Sequence, residues 1–219
     1  MSIRLLKLLA MASLFFVSSA IASDNNRAIA QNAELVRPIL NGQTVPNTTL
    51  YTLDNKAVSL HDVVKDKPAV IVFYRGGWCP YCNAQLAGLK DIEKSVMKLG
   101  YQMIAVSPDS PEKLKEAKID SNQKITLMSD KTFDTIKEFG IGFYMEDAHA
   151  AKYRDRLGVQ FVDLDGTNKV ALPVPAVYVV DKNGLVHFNY VNPNFKVRLE
   201  PRLLYQATRV ADLGNWAQY

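Results

Sequence analysis

The segment RGGWCPYC, residues 75–82, contains the only two cysteines of this 219-residue chain. Two thiols separated by two residues can form a short disulfide, supply two ligands to a metal ion, or act as a redox-active pair. A disulfide between Cys79 and Cys82 closes a ring of about four residues, for which the chain-entropy model gives only about 2 kcal/mol. Stabilisation of the fold is therefore a weak explanation for the pair.

A metal site is the second alternative. A closed zinc site needs four ligands, and His61, His149 and His187 do not stand at ligand spacing from one another. We interpret each histidine as structural and predict no cofactor. A copper-binding module that uses both thiols and one distant histidine stays open as an alternative, because thiolates are soft ligands that copper(I) prefers.

The residues around the two cysteines favour redox chemistry. The run AVIVFY, residues 69–74, is typical of a strand buried on both faces, and Pro80 suits the first position of a helix. Cys79 is then the predicted N-cap, with its sulfur near the free amides of the first turn, which favour a thiolate. Cys82 lies on the same helical face within bridging distance. One sulfur can attack and the other can resolve the mixed disulfide.

The patterns that follow predict the elements that position this pair. Strand-like and helix-like segments alternate, which is typical of an α/β fold with parallel pairing around a central sheet. The predicted elements are an amphipathic helix ending at Gly100 that buries Leu86, Leu89, Ile92, Val96 and Leu99, a strand at 102–107, a helix from Pro111, a strand at 125–129, and a helix over 131–139 capped by Asp130.

The remaining segments predict antiparallel hairpins and a terminal helix. The turn residues at 54–55 predict one hairpin over 50–60, and those at 181–184 predict a second hairpin over 175–190. A helix beginning near Pro201 carries Leu203, Ala207 and Val210 at helical spacing. Residues 140–172, with a helix over 148–157, are interpreted as an insertion beside the sheet.

The N-terminal residues predict export. Arg4 and Lys7 precede an apolar run that ends in Ala20-Ile21-Ala22, a pattern typical of a cleaved secretory signal peptide. We therefore expect a signal peptide over 1–22, an extension over 23–45, one domain over 46–213, and a periplasmic or secreted protein without stable membrane insertion after cleavage. An uncleaved N-terminal anchor stays open as an alternative.

The small net charge of the chain does not favour nucleic acid as a partner. Cleavage would remove two positive charges from a formal net charge of +4. The small remaining surplus gives no argument for nucleic acid as a partner.

The segment FYRGGWCPYCNAQLAGL resembles the thioredoxin-like superfamily and, more closely, the peroxiredoxin-like branch of the AhpC/TSA family. The likeness extends from about Leu50 through IAVSPDSPE, LPVPAVYVVDKNGLVHF and VNPNFKVRLEP. It implies a thioredoxin-like fold: a central mixed sheet flanked by helices, with an N-terminal hairpin extension. It also implies a redox enzyme with a thiol electron donor.

The resemblance implies a set of substrate-binding residues. Pro175 occupies the position of the superfamily's cis-proline, and the backbone of Val174 would then bind a substrate disulfide. Trp78 is expected to form one side of the site. Pro80 and Tyr81, which stand between the two cysteines, are expected to face a partner. Non-catalytic binding remains a further alternative.

The sequence departs from the peroxiredoxin pattern Pro-x-x-x-Thr-x-x-Cys. Aligned on this pattern, Cys82 takes the peroxidatic position, Cys79 replaces the threonine, and Arg75 replaces the proline. The family's distant arginine at the start of the later strand is missing, which weakens the peroxidase hypothesis because peroxide activation needs hydrogen-bond donors.

Two hypotheses about the nucleophile follow. The first, which we favour on the sequence, is thiol-disulfide exchange in cell redox homeostasis, with Cys79 attacking a protein disulfide because it is expected to be the more exposed sulfur. The alternative is a thiol peroxidase in which Cys82 attacks a hydroperoxide. In either case Arg75 is a candidate for electrostatic support of the sulfurs, with a solvated loop arginine as the other interpretation.

Overall fold

The computed structural model describes residues 27–116, 124–157, 161, 164, 166 and 169–212. The predicted signal peptide, 1–22, lies outside these residues. Within the described ranges, no helix has the length and apolar character needed to span a membrane.

A seven-stranded mixed sheet forms the centre of the molecule. Its strands are β1 (Thr49–Tyr51), β2 (Ala57–Ser59), β3 (Ala69–Phe73), β4 (Gln102–Ser107), β5 (Ile125–Ser129), β8 (Ala176–Val180) and β9 (Val186–Val191), in the order β2-β1-β5-β4-β3-β8-β9. Strands β3, β4 and β5 are parallel, and the two outer hairpins pair antiparallel to them. The predicted α/β class, with a central mixed sheet and a hairpin extension before it, is confirmed.

Helices cover the sheet, and a second small sheet lies beside it. The helices are α1 (Leu60–Lys65), α2 (Pro80–Gly88), α3 (Lys90–Lys98), α4 (Pro111–Glu116), α5 (Asp134–Glu138), α6 (Asp147–Leu157) and α7 (Pro201–Asp212), with a short 3-10 helix at Ala33–Leu35. The second sheet pairs β6 (Gly142–Tyr144) with β7 (Ala171–Pro173). This pairing within the predicted insertion was missed, because both strands have only three residues.

Strand β3 shows why both faces of the central sheet are buried. Ile71 and Phe73 point into a core that includes α1 and α5, whereas Val70 and Val72 point into a core that includes α2, α3 and α7. Successive side chains of a strand alternate between faces, so an uninterrupted apolar run serves both cores. The second core contains both cysteines.

Three helices differ from the sequence prediction. The helix after the cysteines is interrupted at Leu89, which joins α2 to α3, although Gly100 follows with the expected positive φ of 84°. The helix after Asp130 is shorter than predicted, starting at Asp134. Helix α7 has the predicted position but buries Leu204, Thr208 and Ala211; Leu203 and Val210 are exposed, so the predicted face is wrong.

Candidate active site

The cysteine pair lies where β3 leads into α2. Cys79 is the N-cap of α2 and Pro80 its first residue, as predicted. The backbone N–H groups of Cys82 and Asn83 both donate to the Cys79 carbonyl, at 3.1 and 3.0 Å, which begins the helix. The loop before the helix closes on itself, because the Cys79 N–H donates to the Gly76 carbonyl at 3.1 Å.

Cys79 and Cys82 form a disulfide, with Cα atoms 5.3 Å apart. The predicted bridging distance is therefore confirmed. Both residues are buried, Cys79 with 2% and Cys82 with 0% of its surface exposed. Leu86 and Leu89 pack in the same core as the pair, so exposure hardly distinguishes the two sulfurs, and the choice of Cys79 as the attacking sulfur stays a prediction.

Arg198 places a positive charge beside both sulfurs. Cys79 makes no side-chain capping hydrogen bond in the disulfide state, so stabilisation of a thiolate by the helix amides stays a prediction. Arg198 Nη2 lies 3.3 Å from Cys82 Sγ and 3.9 Å from Cys79 Sγ. Its Nη1 donates to Gln85 Oε1 at 3.0 Å, and Gln85 is on α2 one turn after Cys82, so the guanidinium is oriented by the helix that carries the pair.

Arg198 is a site residue that the sequence analysis missed. It follows β9 by several residues and stands 116 positions from Cys82, so no local pattern connects the two. Burial lowers the pKa of Arg198 to about 10, which leaves the side chain cationic near neutral pH. The start of the later strand carries no arginine, and the arginine beside the sulfurs comes instead from the segment after β9.

Asp109 holds the loop between β3 and α2. Its Oδ2 accepts a hydrogen bond from the Gly77 N–H at 2.8 Å. Asp109 follows β4, the parallel neighbour of β3, so both chain segments emerge at the same edge of the sheet. Burial raises the pKa of the Asp109 carboxyl, and the Gly77 hydrogen bond opposes this rise.

Arg75 is buried, with only 5% of its surface exposed. Its guanidinium lies 4.2 Å from the centre of the Phe195 ring and 5.7 Å from that of Phe143. Burial, together with repulsion from Arg198, lowers the pKa of Arg75 to about 10, although the nearby Tyr153 opposes this change. The interpretation of Arg75 as a solvated loop residue is wrong, and electrostatic support of the sulfurs stays a prediction.

Aromatic side chains surround the loop. Trp78 is half-buried and packs against Tyr153 of α6, with ring centres 5.2 Å apart, and against Phe161 at 6.0 Å. Tyr81 is 40% exposed and makes an edge contact with Phe195 at 5.5 Å. Pro80 is exposed. Helix α6 of the predicted insertion thus contributes to the surroundings of the loop, and substrate binding by Trp78, Pro80 and Tyr81 stays a prediction.

The Val174 N–H and the Pro175 carbonyl both have backbone partners. No peptide bond of the described residues is cis, so the expectation of a cis bond before Pro175 is wrong. The Val174 N–H donates to the Ile141 carbonyl at 3.0 Å, and the Pro175 carbonyl accepts from the Asn192 N–H at 3.1 Å. Both residues are buried, and their role in substrate binding stays a prediction.

The three histidines have separate surroundings. His61 Nε2 lies 2.9 Å from the Val45 carbonyl oxygen, His149 contacts Glu146, and His187 contacts Asp181. Over the described ranges, no three His, Cys, Asp or Glu side chains are grouped so that they could hold a metal ion. The copper hypothesis has no ligand set among these residues.

A central mixed sheet with a cysteine pair at the junction of a core strand and a helix defines a thioredoxin-like redox protein. Residues 41–189 match the AhpC/TSA family model. This match spans more than half of the chain, which therefore belongs to the AhpC/TSA family.

Curated relatives with similar sequences are peroxiredoxins. The chain is 32% identical over 151 residues to peroxiredoxin Q, chloroplastic, of Oryza sativa subsp. japonica, covering 69% of this chain and 58% of the rice protein. It is 32% identical over 106 residues to the putative peroxiredoxin bcp of Haemophilus influenzae, covering 48% of this chain and 68% of that protein. The chain thus spans less than two thirds of the rice relative.

Solved peroxiredoxin structures have the same fold. Peroxidoxin BcpB from Mycobacterium tuberculosis superposes with a TM-score of 0.59 at 17% identity, covering 78% of this chain and 96% of that one. Reduced Prx3 from Vibrio vulnificus, solved in complex with hydrogen peroxide, gives a TM-score of 0.60 at 19% identity, covering 78% and 99%. At these identities the likeness is one of fold.

Proposed function

We propose that this protein is a thiol-dependent peroxidase in which Cys82 is the peroxidatic cysteine. The Cys82 thiolate attacks the terminal oxygen of a hydroperoxide, the O–O bond breaks, and an alcohol or water leaves after protonation. Cys79 then attacks the resulting sulfenic acid, which releases water and forms the Cys79–Cys82 disulfide. A thiol donor supplies the two electrons and two protons that restore the dithiol.

The position of Arg198 carries this proposal. Its Nη2 is 3.3 Å from Cys82 Sγ and 3.9 Å from Cys79 Sγ, so its charge favours a thiolate at Cys82 over one at Cys79. A guanidinium at this place also has further N–H groups to donate to the peroxide oxygens as negative charge develops on the leaving group. This is the donor that the sequence did not reveal.

Burial of the two cysteines also favours a small oxidant over a protein substrate. With 2% and 0% exposure, Cys79 and Cys82 are out of reach of a folded protein disulfide unless the site opens widely, whereas a hydroperoxide is small enough to enter through a much smaller opening. The names of the relatives agree with this order of preference. The alternative interpretation of the sequence, a peroxidase, is therefore better supported than protein disulfide exchange.

Thiol-disulfide exchange with another protein is the second candidate. It is favoured by one observation, the closure of a Cys-x-x-Cys disulfide at the first turn of an intact α2. In this reaction Cys79 would attack, and Cys82 would resolve the mixed disulfide.

Rapid mixing of the reduced protein with stoichiometric hydrogen peroxide tests the order of the two cysteines. We expect Cys79→Ser to keep the first reaction and to stop at a sulfenic acid, seen as one added oxygen by mass spectrometry. Cys82→Ser should react at least about a thousandfold more slowly, because it lacks the nucleophile. The two variants are matched controls, since each replaces one sulfur by oxygen in the same helix turn.

The opposite result would assign the attack to Cys79. If peroxide reduction survives in Cys82→Ser and not in Cys79→Ser, or if the wild type ignores peroxide and rapidly reduces a protein disulfide such as that of insulin, the second candidate replaces the first.

We also propose that the protein is exported to the periplasm or secreted. Support comes from the charged, apolar and small-residue pattern of residues 1–22. The mass of the mature chain recovered from its native host tests this: an N-terminus at residue 23 supports cleavage, and an intact N-terminus in the cytosol contradicts it.

A further inference from the structure

Arg75 is a buried cation without a polar partner among the described residues. It is 5% exposed, and neither a hydrogen bond nor an ion pair satisfies it within the described ranges; its Nε is fully enclosed and unpaired. The rings of Phe195 and Phe143 contact its guanidinium, and such cation–π contacts compensate only part of the cost of removing a charge from water. A bound anion would complement the buried guanidinium.

A second guanidinium makes the local charge more positive. Arg198 is near enough to repel the charge of Arg75 and to lower its pKa. The Nε of Arg198 is likewise buried and unpaired, and no described carboxylate forms an ion pair with either arginine. In the disulfide state described here the sulfurs carry no charge, and in the reduced state one Cys82 thiolate would balance only one of the two cations.

The Phe195 ring contacts both Arg75 and a residue of the cysteine turn. The ring lies over the Arg75 guanidinium at 4.2 Å and meets the ring of Tyr81 at 5.5 Å. Tyr81 stands between Cys79 and Cys82 in the chain, and Arg198, which lies 3.3 Å from Cys82 Sγ, is near enough to Arg75 to lower its pKa. The Phe195 contacts and Arg198 therefore both link Arg75 to the cysteine turn, so a ligand bound at Arg75 would lie near that turn.

We propose that Arg75 binds the carboxylate of a small molecule that reacts at the cysteine pair. This inference rests on the proposed peroxidase function and adds a class of reactant to it. Two reactants can bring such a carboxylate: an alkyl hydroperoxide that oxidises Cys82, or a low-molecular-weight thiol that reduces the disulfide. The planar guanidinium suits a carboxylate because it can donate two parallel hydrogen bonds.

The reduction step balances with a monothiol donor. A first donor thiolate attacks one sulfur of the Cys79–Cys82 disulfide, forming a mixed disulfide and releasing the other sulfur as a thiolate. A second donor thiolate then attacks the mixed disulfide on the donor's sulfur. The products are one donor disulfide and the reduced pair, with two protons taken up from the donor thiols.

Matched pairs of reactants separate the two sources of the carboxylate. In the first arm, the reduced protein receives a carboxylate-bearing alkyl hydroperoxide or its methyl ester. In the second arm, the oxidised protein receives mercaptopropionate or mercaptopropionamide at equal thiolate concentration. We expect the acid to react faster than its neutral analogue in at least one arm, by about tenfold for a charge-assisted pair.

Variants of Arg75 then assign this preference to the residue. Arg75→Gln should abolish the ratio between the acid and its neutral analogue, and Arg75→Lys should keep part of it. Lys196→Gln is the matched control, because Lys196 Nζ lies 5.9 Å from the same Phe195 ring yet the residue is exposed. It removes the same charge at the same ring, and the ratio should stay at the wild-type value.

An inhibition measurement keeps the test decisive if Arg75→Gln does not fold. Propionate should compete with the acid reactant in the wild type, and propionamide should not. Equal rates within both pairs and no inhibition by propionate would overturn the inference. If hydrogen peroxide still oxidises Cys82 in that case, the proposed function stands; if it does not, the function itself has failed.

Discussion

At the scale of single residues, the proposed peroxide chemistry depends on Arg198 as well as on the helix that carries the cysteines. The helix N-terminus places Cys79 and Cys82 within bonding distance, and the Arg198 guanidinium lies nearer to Cys82 Sγ than to Cys79 Sγ. Gln85 accepts from the same guanidinium and thereby limits its rotation.

Replacement of Arg198 by glutamine should slow the reaction of Cys82 with hydrogen peroxide. We expect a loss of about 10- to 100-fold near neutral pH, because a donor to the developing charge is removed and the thiolate loses its counter-ion. The rate should recover as the pH rises, so the rate–pH profile moves to higher pH. Stopped-flow rates across this range measure both effects.

Arg202→Gln is the control for this change. Arg202 is exposed near the start of α7, so its replacement removes an equal charge without touching the sulfurs. A rate and profile for Arg198→Gln equal to those of Arg202→Gln would refute the assigned role.

At the scale of elements, the loop between β3 and α2 is fixed by its neighbours. Gly76 has φ of 144°, and a Cβ there would lie 2.5 Å from Trp78 Nε1 and 2.8 Å from Asp109 Oδ1. The close approach lets Asp109, beyond the end of β4, accept from Gly77. The parallel pair β3–β4 therefore sets the path of the chain into the cysteine turn.

Gly76→Ala should disturb both stability and peroxide reduction. The backbone strain costs about 1–3 kcal/mol, and the added methyl must displace Trp78 or the Asp109 carboxylate that holds Gly77. Gly100→Ala is the matched control, because Gly100 also has a positive φ, 84°, but no neighbouring atom lies within 4 Å of where its methyl group would stand. Gly100→Ala should lose stability from backbone strain alone and keep the wild-type rate of reaction with peroxide.

Urea unfolding and the peroxide rate together check this pair of variants. Equal losses of stability with wild-type rates in both would show that the loop tolerates the extra methyl group.

At the scale of the whole molecule, stability depends on a carboxylate buried between the sheet and α5. Asp130 is fully buried after β5, and its two oxygens accept from the N–H groups of Thr135 and Ile136 at 3.1 and 2.7 Å. Burial raises the pKa of Asp130 from 3.8 to about 7, and the two hydrogen bonds oppose this rise. The folded protein therefore binds this proton more tightly than the unfolded chain.

The free energy of unfolding should consequently fall as the pH rises from about 4 to about 7. The slope due to Asp130 is at most about 1.4 kcal/mol per pH unit, because one proton is bound by the folded state and not by the unfolded one in this window. Asp130→Asn should flatten this slope, since the amide does not titrate. Urea unfolding at several pH values measures it.

Asp91→Asn is the control, because Asp91 is an exposed acid in the first turn of α3 and is not among the groups that act on Asp130. If Asp130→Asn has the same slope as Asp91→Asn, Asp130 does not carry the dependence.

Much of the architecture followed from local patterns. The β3 run, the N-cap at Cys79, the turn at 181–184 and the hairpin at 50–60 were predicted because each depends on residues close in the chain. The face of α7 was predicted wrongly, because Leu203 and Leu204 are adjacent and local periodicity does not decide which one meets the sheet.

By itself, the sequence determined the fold class, the family and the presence of a redox pair at the start of a helix. These depend on periodicity, capping and short motifs, which are properties of neighbouring residues. Only the tertiary structure decided that both sulfurs are buried, that Arg198 contacts them from 116 residues away, and that Arg75 lacks an anion among the described residues. Burial and charge pairing depend on which distant segments the sheet brings together, and one chain read along its length does not specify those contacts.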